Sequence, residues 1–246
     1  MNLELDVDPQ ALWDSSAPAW IALIEGGHLN RDLLLDPVML RLAGDVRGQK
    51  ACDIGCGEGR FCRILSHRGA SVVGLDPTIP LLGEARRKDP SGHYIEGVAE
   101  ALPFADETFD LTVSYLVLID VLDYRTAIAE MARVTRPGGK VLVANMSSFC
   151  TTLADPWIRD DDEGRGIRVV VEDYLHDRAD IVEWAGIRIV NYHRPLSGYM
   201  RAFLDAGLSL AAFEEPTLTP GQIEAHPKMA NAARIPMFNV SLWRKA

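Results

Sequence analysis

The segment Ala51–Phe61 constrains the fold more than any other part of this chain, because it has the pattern of a strand, a glycine turn and a helix start. Gly55, Gly57 and Gly59 lack a Cβ atom, so the backbone there can turn sharply and approach a ligand closely. A helix that begins near Gly59 directs free N–H groups and the positive end of its dipole into the turn. The segment therefore predicts a binding site for a carboxylate or a phosphate.

Asp53 and Arg60 narrow the choice of ligand. The dinucleotide-binding pattern G-x-G-x-x-G would need a third glycine at position 60, where this chain has Arg60. Asp53, two residues before the first glycine, would repel a pyrophosphate but suits a ligand that carries an ammonium group. The predicted ligand has an ammonium group on one side and a carboxylate on the other, as an amino acid does.

A second carboxylate follows at the distance expected of a βαβ unit. The segment Ala70–Asp76 reads as a strand, and its last residue, Asp76, lies roughly 20 residues after the glycine turn. A carboxylate at this place in a βαβ unit accepts hydrogen bonds from the hydroxyls of a ribose. The two acids together predict a ligand with an amino-acid part and a ribose.

Four motifs occur in order and at compatible spacing: Asp53–Gly59, Gly74–Asp76, Glu100–Asp110 and Arg133–Lys140. Together they strongly resemble the class I S-adenosylmethionine-dependent methyltransferases of the small-molecule type. The matching motifs run through most of the chain. The resemblance implies S-adenosylmethionine as the cofactor and a seven-stranded sheet whose last strand runs antiparallel.

The resemblance also implies roles for individual residues of the cofactor site. Asp53 is expected to face the methionyl ammonium, directly or through water, and Asp76 to hold the ribose hydroxyls. The other expected cofactor-binding residues belong to the glycine turn, the adenine pocket, the end of the fourth strand and the N-terminal region: Gly55, Cys56, Gly57, Gly59, Pro77, Thr78, Ala99, Glu100, Tyr115 and Arg31.

Two of these positions carry an alternative interpretation, and one neighbouring position departs from the pattern of the family. Tyr115 is expected under the methionine portion, but core packing explains it nearly as well. Arg31 is expected to close over the cofactor or substrate, and a solvated helix start is the alternative. Val98 stands where many relatives carry an aspartate for the adenine amino group, so Glu100 or a backbone carbonyl is expected to replace it.

Composition and charge limit the partners of the chain. Among its 246 residues, 35 acidic side chains outnumber 25 basic ones, for a formal net charge of −10. This balance argues against a large nucleic-acid footprint, which needs a basic face. The start, Met1–Asp6, lacks the basic and apolar blocks of a signal peptide. The longest apolar run, Leu116–Leu122, is interrupted by Asp120 and is too short to span a bilayer. A cytoplasmic protein without membrane contact is expected.

No metal site is predicted. Three cysteines, Cys52, Cys56 and Cys62, cluster around the first strand and helix, but their spacing is not C-x-x-C and no second pair follows. Buried small side chains explain them better. The acidic run Arg159–Gly164 lacks the alternating ligand positions of a calcium loop and reads as a solvated insertion loop.

The order of predicted elements indicates an α/β fold. We expect a Rossmann-like, doubly wound, mostly parallel seven-stranded sheet with an N-terminal helical cap and a small inserted antiparallel sheet. Residues 1–246 are treated as one domain, divided into the helical cap (1–47), the cofactor-binding core (48–147), an inserted lid (148–195) and a terminal helix with two strands (196–246). In the cap, Asp36 is the expected N-cap of a helix.

The apolar patterns give approximate bounds for these elements. In the core, strands are predicted at 50–54, 71–76, 93–96, 110–117 and 140–146, and helices near 59–68, 79–88 and 124–135. Antiparallel strands of the lid are predicted at 167–171, 181–184 and 187–192, followed by a helix at 197–206 and strands at 208–214 and 237–243.

Two histidines are candidates for a general base. His193 lies between the inserted sheet and a helix, where an imidazole with an ordinary pKa of about 6.5 can accept a proton from a hydroxyl or ammonium nucleophile. His28, next to Gly26 and Gly27, is the weaker candidate. A structural role is the alternative for both.

These features predict an enzyme that transfers the methyl group of S-adenosylmethionine to an oxygen or nitrogen atom of a small molecule by in-line displacement. Two alternatives stay open. One is transfer to carbon or to a macromolecule such as protein or tRNA, and the other is a cofactor-binding module without catalytic activity. The expected partner is a small-molecule acceptor, and the sequence is compatible with a homodimer.

Overall fold

The computed structural model describes residues 5–159 and 167–246. Nearly all of the acidic run interpreted above as a solvated loop lies outside the described residues. No helix in the described ranges is long and apolar enough to cross a membrane.

A seven-stranded sheet forms the centre of the fold. Its strands, in chain order, are β1 (Lys50–Ile54), β2 (Ser71–Asp76), β3 (His93–Glu96), β4 (Phe109–Tyr115), β5 (Thr135–Met146), β10 (Leu208–Glu214) and β11 (Phe238–Lys245). Their spatial order is β10-β11-β5-β4-β1-β2-β3. β1 to β5 pair in parallel, whereas β11 is antiparallel to both β5 and β10. The predicted fold class, including the reversed last strand, is confirmed.

Strand alternation sends side chains of the sheet to two separate hydrophobic layers. On β5, for example, Leu142 and Ala144 pack in one layer, while Val141 and Val143 pack in the other. The helices that cover the sheet are α3 (Arg60–His67), α4 (Ile79–Lys88), α5 (Tyr124–Val134) and α6 (Leu196–Asp205). Burial of both faces explains why the parallel strands are mostly apolar.

Two strands of the core differ from their predicted bounds by more than one residue. β4 ends at Tyr115 instead of residue 117, because Leu116 takes a left-handed backbone conformation with φ of 62° that ends the extended chain. β5 begins at Thr135 instead of residue 140, and its register against β4 shifts between Thr135 and Lys140. The remaining core strands lie where the sequence predicted them.

The inserted region forms two small antiparallel hairpins. β6 (Trp157–Arg159) pairs with β7 (Ile167–Val169), and β8 (Arg178–Trp184) pairs with β9 (Ile187–His193). The antiparallel pairing agrees with the sequence analysis, but the region forms two separate sheets instead of one, and β6 was not predicted. A short helix, α7 (Pro220–Ala225), and a following 3-10 helix were also not predicted.

The N-terminal region is helical, as expected. α1 (Pro9–Glu25) packs against β9, where the Ser16 hydroxyl and the backbone of Arg188 exchange two hydrogen bonds of 2.9 Å. A π-helical segment, Asn30–Leu35, leads directly into α2 (Asp36–Ala43). Because the chain is already helical before α2, Asp36 is not an N-cap, and the prediction of a cap there was wrong.

Candidate functional site

A cavity of about 320 Å³ opens at the carboxyl ends of β1, β2 and β4. This edge is where open α/β sheets bind ligands, since the strand order reverses beside β1. Its wall comprises the glycine turn, the loops after β2, β3 and β4, part of α1 and residues of the π-helix and β9. The cavity therefore brings together parts of the sequence that lie far apart in the chain.

The glycine turn that follows β1 requires its glycines. Gly55 has φ of 68°, and a Cβ there would overlap the side chain of Val117. Gly59 has φ of 76°, and a Cβ there would overlap the ring of Tyr94. Any other residue at these two positions would strain the backbone and displace a packed neighbour. Gly57 lies at the cavity wall, with room between it and the indole of Trp20.

Asp76 joins the end of β2 to this turn. Its Oδ2 accepts a hydrogen bond of 2.8 Å from the backbone N–H of Gly57, and its Oδ1 accepts one of 2.8 Å from the N–H of Thr78. Burial raises the pKa of this carboxyl, while the two backbone donors lower it. Each oxygen retains acceptor capacity at the cavity wall, as ribose hydroxyls require.

Asp53 lies behind the wall of the cavity. Its Oδ2 accepts a hydrogen bond of 3.3 Å from the Cys62 thiol, whereas its Oδ1 is buried and has no partner among the described residues. Burial raises the pKa of Asp53 to about 7. Cys56 and Gly59 belong to the glycine turn but, like Asp53, they do not line the cavity. A contact between Asp53 and a ligand in this geometry would run through a water molecule.

Arg31 is a buried cation at the cavity. Its guanidinium lies over the ring of Trp20 at 5.0 Å and over that of Tyr115 at 4.7 Å. Nε has no hydrogen-bond partner among the described residues, and burial lowers the pKa of the side chain. The side chain is 8% exposed, so the alternative of a solvated helix start does not describe it.

The side chain of Asp36 fixes Tyr115 beneath Arg31. The Tyr115 hydroxyl donates a hydrogen bond of 2.7 Å to Asp36, which also pairs with Arg60. Burial raises the pKa of Tyr115, so it is a neutral donor in this network. Arg60, which stands where a dinucleotide-binding pattern would have its third glycine, thus joins the start of α3 to α2.

The four residues predicted to border an adenine lie together on one side of the cavity. Pro77, Thr78, Ala99 and Glu100 all line the wall beside Asp76. Val98, which replaces the aspartate of many relatives, also lies there and is half exposed. The sequence therefore predicted the composition of this side of the cavity.

Comparison with known proteins agrees with this geometry. Residues 52–143 match a family model described as a methyltransferase domain. The family and the cofactor, S-adenosylmethionine, that the sequence predicted are thereby confirmed.

The alignments with individual relatives are longer than the match to the family model. A demethylmenaquinone methyltransferase from Renibacterium salmoninarum is 39% identical over 137 residues, 56% of this chain and 58% of the relative. A malonyl-[acyl-carrier protein] O-methyltransferase from Serratia marcescens is 35% identical over 126 residues, 51% of this chain and 49% of the relative. The chain thus spans about half to three fifths of the length of these curated relatives.

A solved structure is similar over almost the whole chain. The crystal structure of an S-adenosylmethionine-dependent methyltransferase from Mesorhizobium loti superposes with a TM-score of 0.79 and is 26% identical. The similarity covers 89% of this chain and 99% of the other, so it includes the regions on either side of the methyltransferase domain.

The structure does not place either candidate histidine at the cavity wall. His193 is buried, with Nε2 donating to the Tyr174 carbonyl at 2.9 Å and Nδ1 lying 2.8 Å from the Thr151 hydroxyl. Burial lowers its pKa. Both ring nitrogens are engaged and the imidazole does not line the cavity, so the geometry does not favour His193 as a base.

His28 has no better access to the methyltransferase cavity. It is half-buried beside the π-helix and does not line the wall. Burial and the nearby Arg31 lower its pKa, and its Nδ1 has no partner among the described residues. The geometry does not favour His28 as a base.

Several wall residues were not predicted as site residues. Asp8 and Gln10 reach the cavity from the residue before α1 and from α1 itself, and the Gln10 amide donates to the Pro77 carbonyl at 3.1 Å. Asp120 lies on the loop after β4 and also lines the cavity. The only sequence signal for Asp120 was that it interrupts an apolar run.

Proposed function

We propose that this chain is an enzyme that transfers the methyl group of S-adenosylmethionine to an oxygen or nitrogen atom of a small molecule. One observation carries the proposal. The glycine turn is tied to Asp76 at the carboxyl edge of the sheet, and the cavity beside it holds the buried guanidinium of Arg31. These groups match a ligand that combines a nucleoside with an amino acid.

The residues fit S-adenosylmethionine group by group. Asp76 offers acceptors for the ribose hydroxyls, and Pro77, Ala99 and Glu100 border the space for the adenine. Arg31 offers its unpartnered Nε–H, within a charged guanidinium, for the carboxylate of the methionine portion. The unpartnered oxygen of Asp53 would meet the ammonium group through water. Two unpartnered polar atoms, one of each charge, thereby find counterparts in one ligand.

Bound S-adenosylmethionine supplies an electrophilic methyl group on a sulfonium. The chain contributes position and shelter. Trp13 and Trp20, packed edge to face with ring centroids 5.6 Å apart, extend from α1 over the glycine turn and limit the access of water. Holding the methyl donor and the acceptor in line can lower the activation barrier of the transfer by about 7–11 kcal/mol. Positioning of this kind needs no covalent intermediate on the protein.

The acceptors in the names of the curated relatives describe those proteins and are not assigned to this chain. For this chain, a small-molecule acceptor is favoured by the volume of the cavity, about 320 Å³ in all. The net charge of −10 supports the absence of nucleic acid as a partner. We further propose that residues 1–246 act as one domain, with the helical cap and the inserted lid closing over the core, in the cytoplasm.

Calorimetric titration with S-adenosylmethionine, S-adenosylhomocysteine and NADH tests this function. Binding of both adenosyl ligands without binding of NADH is the expected result. Incubation with S-adenosylmethionine labelled in its methyl group and a panel of small amines, alcohols and phenols then measures transfer. Binding without transfer to any acceptor would favour a module without catalytic activity, and no binding of either adenosyl ligand would contradict the proposal.

A further inference from the structure

The loop after β4, residues 116–122, is fastened by the end of β9. The backbone N–H of Tyr192 donates to the carbonyl of Ile119 at 2.6 Å. The guanidinium of Arg194 donates to three carbonyls of the same loop: Leu118 at 2.9 Å, Val121 at 2.6 Å and Leu122 at 2.7 Å. Four hydrogen bonds from one strand end therefore fix the course of this loop.

Arg194 is itself held firmly. It is 1% exposed, and its guanidinium lies 4.4 Å from the ring centre of Tyr124 and 4.8 Å from that of Tyr192. A planar donor fixed on both faces has little rotational freedom left to lose. The inserted region thus positions the loop after β4 and everything that the loop presents to the cavity.

The loop places the carboxyl of Asp120 at the wall of the cavity. The Asn191 side-chain amide donates to its Oδ1 at 2.9 Å, while its Oδ2 accepts no hydrogen bond from the described part of the chain. Burial raises the pKa of Asp120 well above its ordinary value, although Asn191 and the charge of Arg194 act in the opposite direction. This is a carboxyl with one oriented oxygen and one oxygen available to the cavity.

The charges of the wall distinguish among acceptor classes. Four carboxyls, those of Asp8, Asp76, Glu100 and Asp120, line the cavity together with one guanidinium, that of Arg31. The proposed function assigns Asp76, Glu100 and Arg31 to the cofactor, which leaves the carboxyls of Asp8 and Asp120 for the acceptor. A carboxylate acceptor would be repelled there, whereas an ammonium or a hydroxyl would be attracted.

Aromatic faces reinforce this preference. Trp13, Trp20 and Tyr192 contribute rings to the same wall. Their negative faces attract a cation, and their area favours an apolar or aromatic body on the acceptor. Charge and shape of the wall therefore favour the same acceptor class.

We propose that Asp120 binds the nucleophilic group of the acceptor, that this group is an amine or a hydroxyl, and that Asn191 orients the carboxyl for it. The inference rests on the proposed function and deepens it. The acceptor donates an N–H or O–H hydrogen bond to Oδ2 of Asp120.

The chemical step balances with Asp120 as the proton acceptor. An ammonium acceptor has no lone pair and becomes the nucleophile only as the neutral amine, after it loses a proton. A lone pair of the neutral nitrogen, or of the hydroxyl oxygen, forms the new bond to the methyl carbon, and the electron pair of the breaking carbon–sulfur bond stays on sulfur. The proton of the nucleophile passes to the Asp120 carboxylate. Three groups face this carboxyl: Asn191 from β9, the charge of Arg194 after β9, and the charge of Asp76 at the end of β2.

The test uses three probes that share a benzyl group and are cationic, neutral or anionic. The full-length protein is saturated with S-adenosylhomocysteine, and benzylamine, benzyl alcohol and phenylacetate are titrated into it by calorimetry. Asp120→Asn keeps the shape of the side chain and removes its charge. The matched control is Asp123→Asn, which changes an exposed carboxylate three residues along the chain to another good helix cap. Because S-adenosylhomocysteine binding is measured for each variant, a folding defect would be recognised.

We expect benzylamine or benzyl alcohol to bind the wild-type protein and phenylacetate not to bind. Asp120→Asn is expected to weaken benzylamine binding by about tenfold or more, because a charge-assisted hydrogen bond is lost. Its affinity for S-adenosylhomocysteine and all affinities of the control should be unchanged. Equal benzylamine affinity in Asp120→Asn, tight phenylacetate binding, or no binding of either neutral or cationic probe would overturn the inference. Failure of S-adenosylhomocysteine itself to bind would instead contradict the proposed function.

Discussion

The Asp76 carboxylate accepts a hydrogen bond of 2.8 Å from the backbone N–H of Gly57 and so couples the end of β2 to the glycine turn after β1. One side chain thus shapes the turn and faces the cavity that the turn borders. The same carboxylate is expected to hold a ribose, so its structural and binding roles need separate measurements.

Asp76→Ala is expected to weaken S-adenosylhomocysteine binding. Hydrogen bonds to a charged group are each worth about 1.5–3 kcal/mol, which corresponds to a rise in Kd of roughly 10- to 150-fold. Isothermal titration calorimetry measures the change. A control, Asp106→Ala, removes a carboxylate that is 73% exposed and should bind as the wild type does.

A ligand pair separates the ribose contact from a general loosening of the turn. The wild-type protein should prefer adenosine to 2′,3′-dideoxyadenosine, and Asp76→Ala should lose that preference. If the variant retains the full preference, Asp76 does not hold the ribose hydroxyls.

Arg31→Met is expected to remove recognition of the carboxylate on the methionine portion. The wild-type protein should bind S-adenosylhomocysteine more tightly than 5′-methylthioadenosine, which lacks the amino-acid group. In the variant this preference should fall about tenfold or more, because the buried guanidinium is the charged partner. Arg41→Met, at an exposed arginine, is the matched control. An unchanged preference in Arg31→Met would exclude the assignment.

Arg31→Met should also leave the ligand-free protein at least as stable as the wild type. A buried cation without a carboxylate partner is costly, and methionine fills a similar volume between Trp20 and Tyr115. Differential scanning calorimetry without ligand measures the Tm. A fall of several degrees would mean that Arg31 has mainly a structural role.

Local pattern was sufficient to predict the core of this fold from the sequence. β1 and β2 have their predicted bounds because each is a short apolar run that ends at a turn or an acid. Their pairing follows from the βαβ rule, which fixes the glycine turn and Asp76 at one edge of the sheet. The cofactor residues near that edge could therefore be predicted together.

Residues whose role depends on distant contacts could not be predicted. Asp120 acquires its orientation from Asn191, 71 positions later, and no local pattern encodes that hydrogen bond. Distant contacts also decide the surroundings of His193, whose ring contacts Thr151 and Tyr174 from two other segments of the inserted region. The local sequence predicts an accessible histidine in a connector, because it contains no information on the segments that pack around the ring.

His193→Ala is expected to destabilise the protein without affecting the chemistry. The change leaves the Thr151 hydroxyl and the Tyr174 carbonyl without their buried partner, at a cost of about 1–3 kcal/mol. Urea denaturation measures the free energy of unfolding, and titration at low temperature should show unchanged S-adenosylhomocysteine affinity. Normal stability combined with a lost pH-dependent limb of methyl transfer would restore His193 as the base.

Asp53 should make the stability of the ligand-free protein depend on pH. Burial raises its pKa to about 7 from an ordinary value of 3.8, so between these values the folded state holds a proton that the unfolded state has released. The free energy of unfolding therefore falls as pH rises from about 4 to about 7 and then stays level. Each pKa unit corresponds to about 1.36 kcal/mol, so the total approaches about 4 kcal/mol.

Asp53→Asn isolates this contribution, because the variant side chain does not titrate. The difference in the free energy of unfolding between Asp53→Asn and the wild type should increase in favour of the variant from pH 4 to pH 7. Urea denaturation at several pH values measures this difference. Because an ammonium group would stabilise the ionised form of Asp53, S-adenosylhomocysteine binding at pH 6 should release a proton in the wild type but not in Asp53→Asn. Calorimetry in buffers of different ionisation enthalpy detects that proton, and equal release by both proteins would show that Asp53 does not sense the ligand.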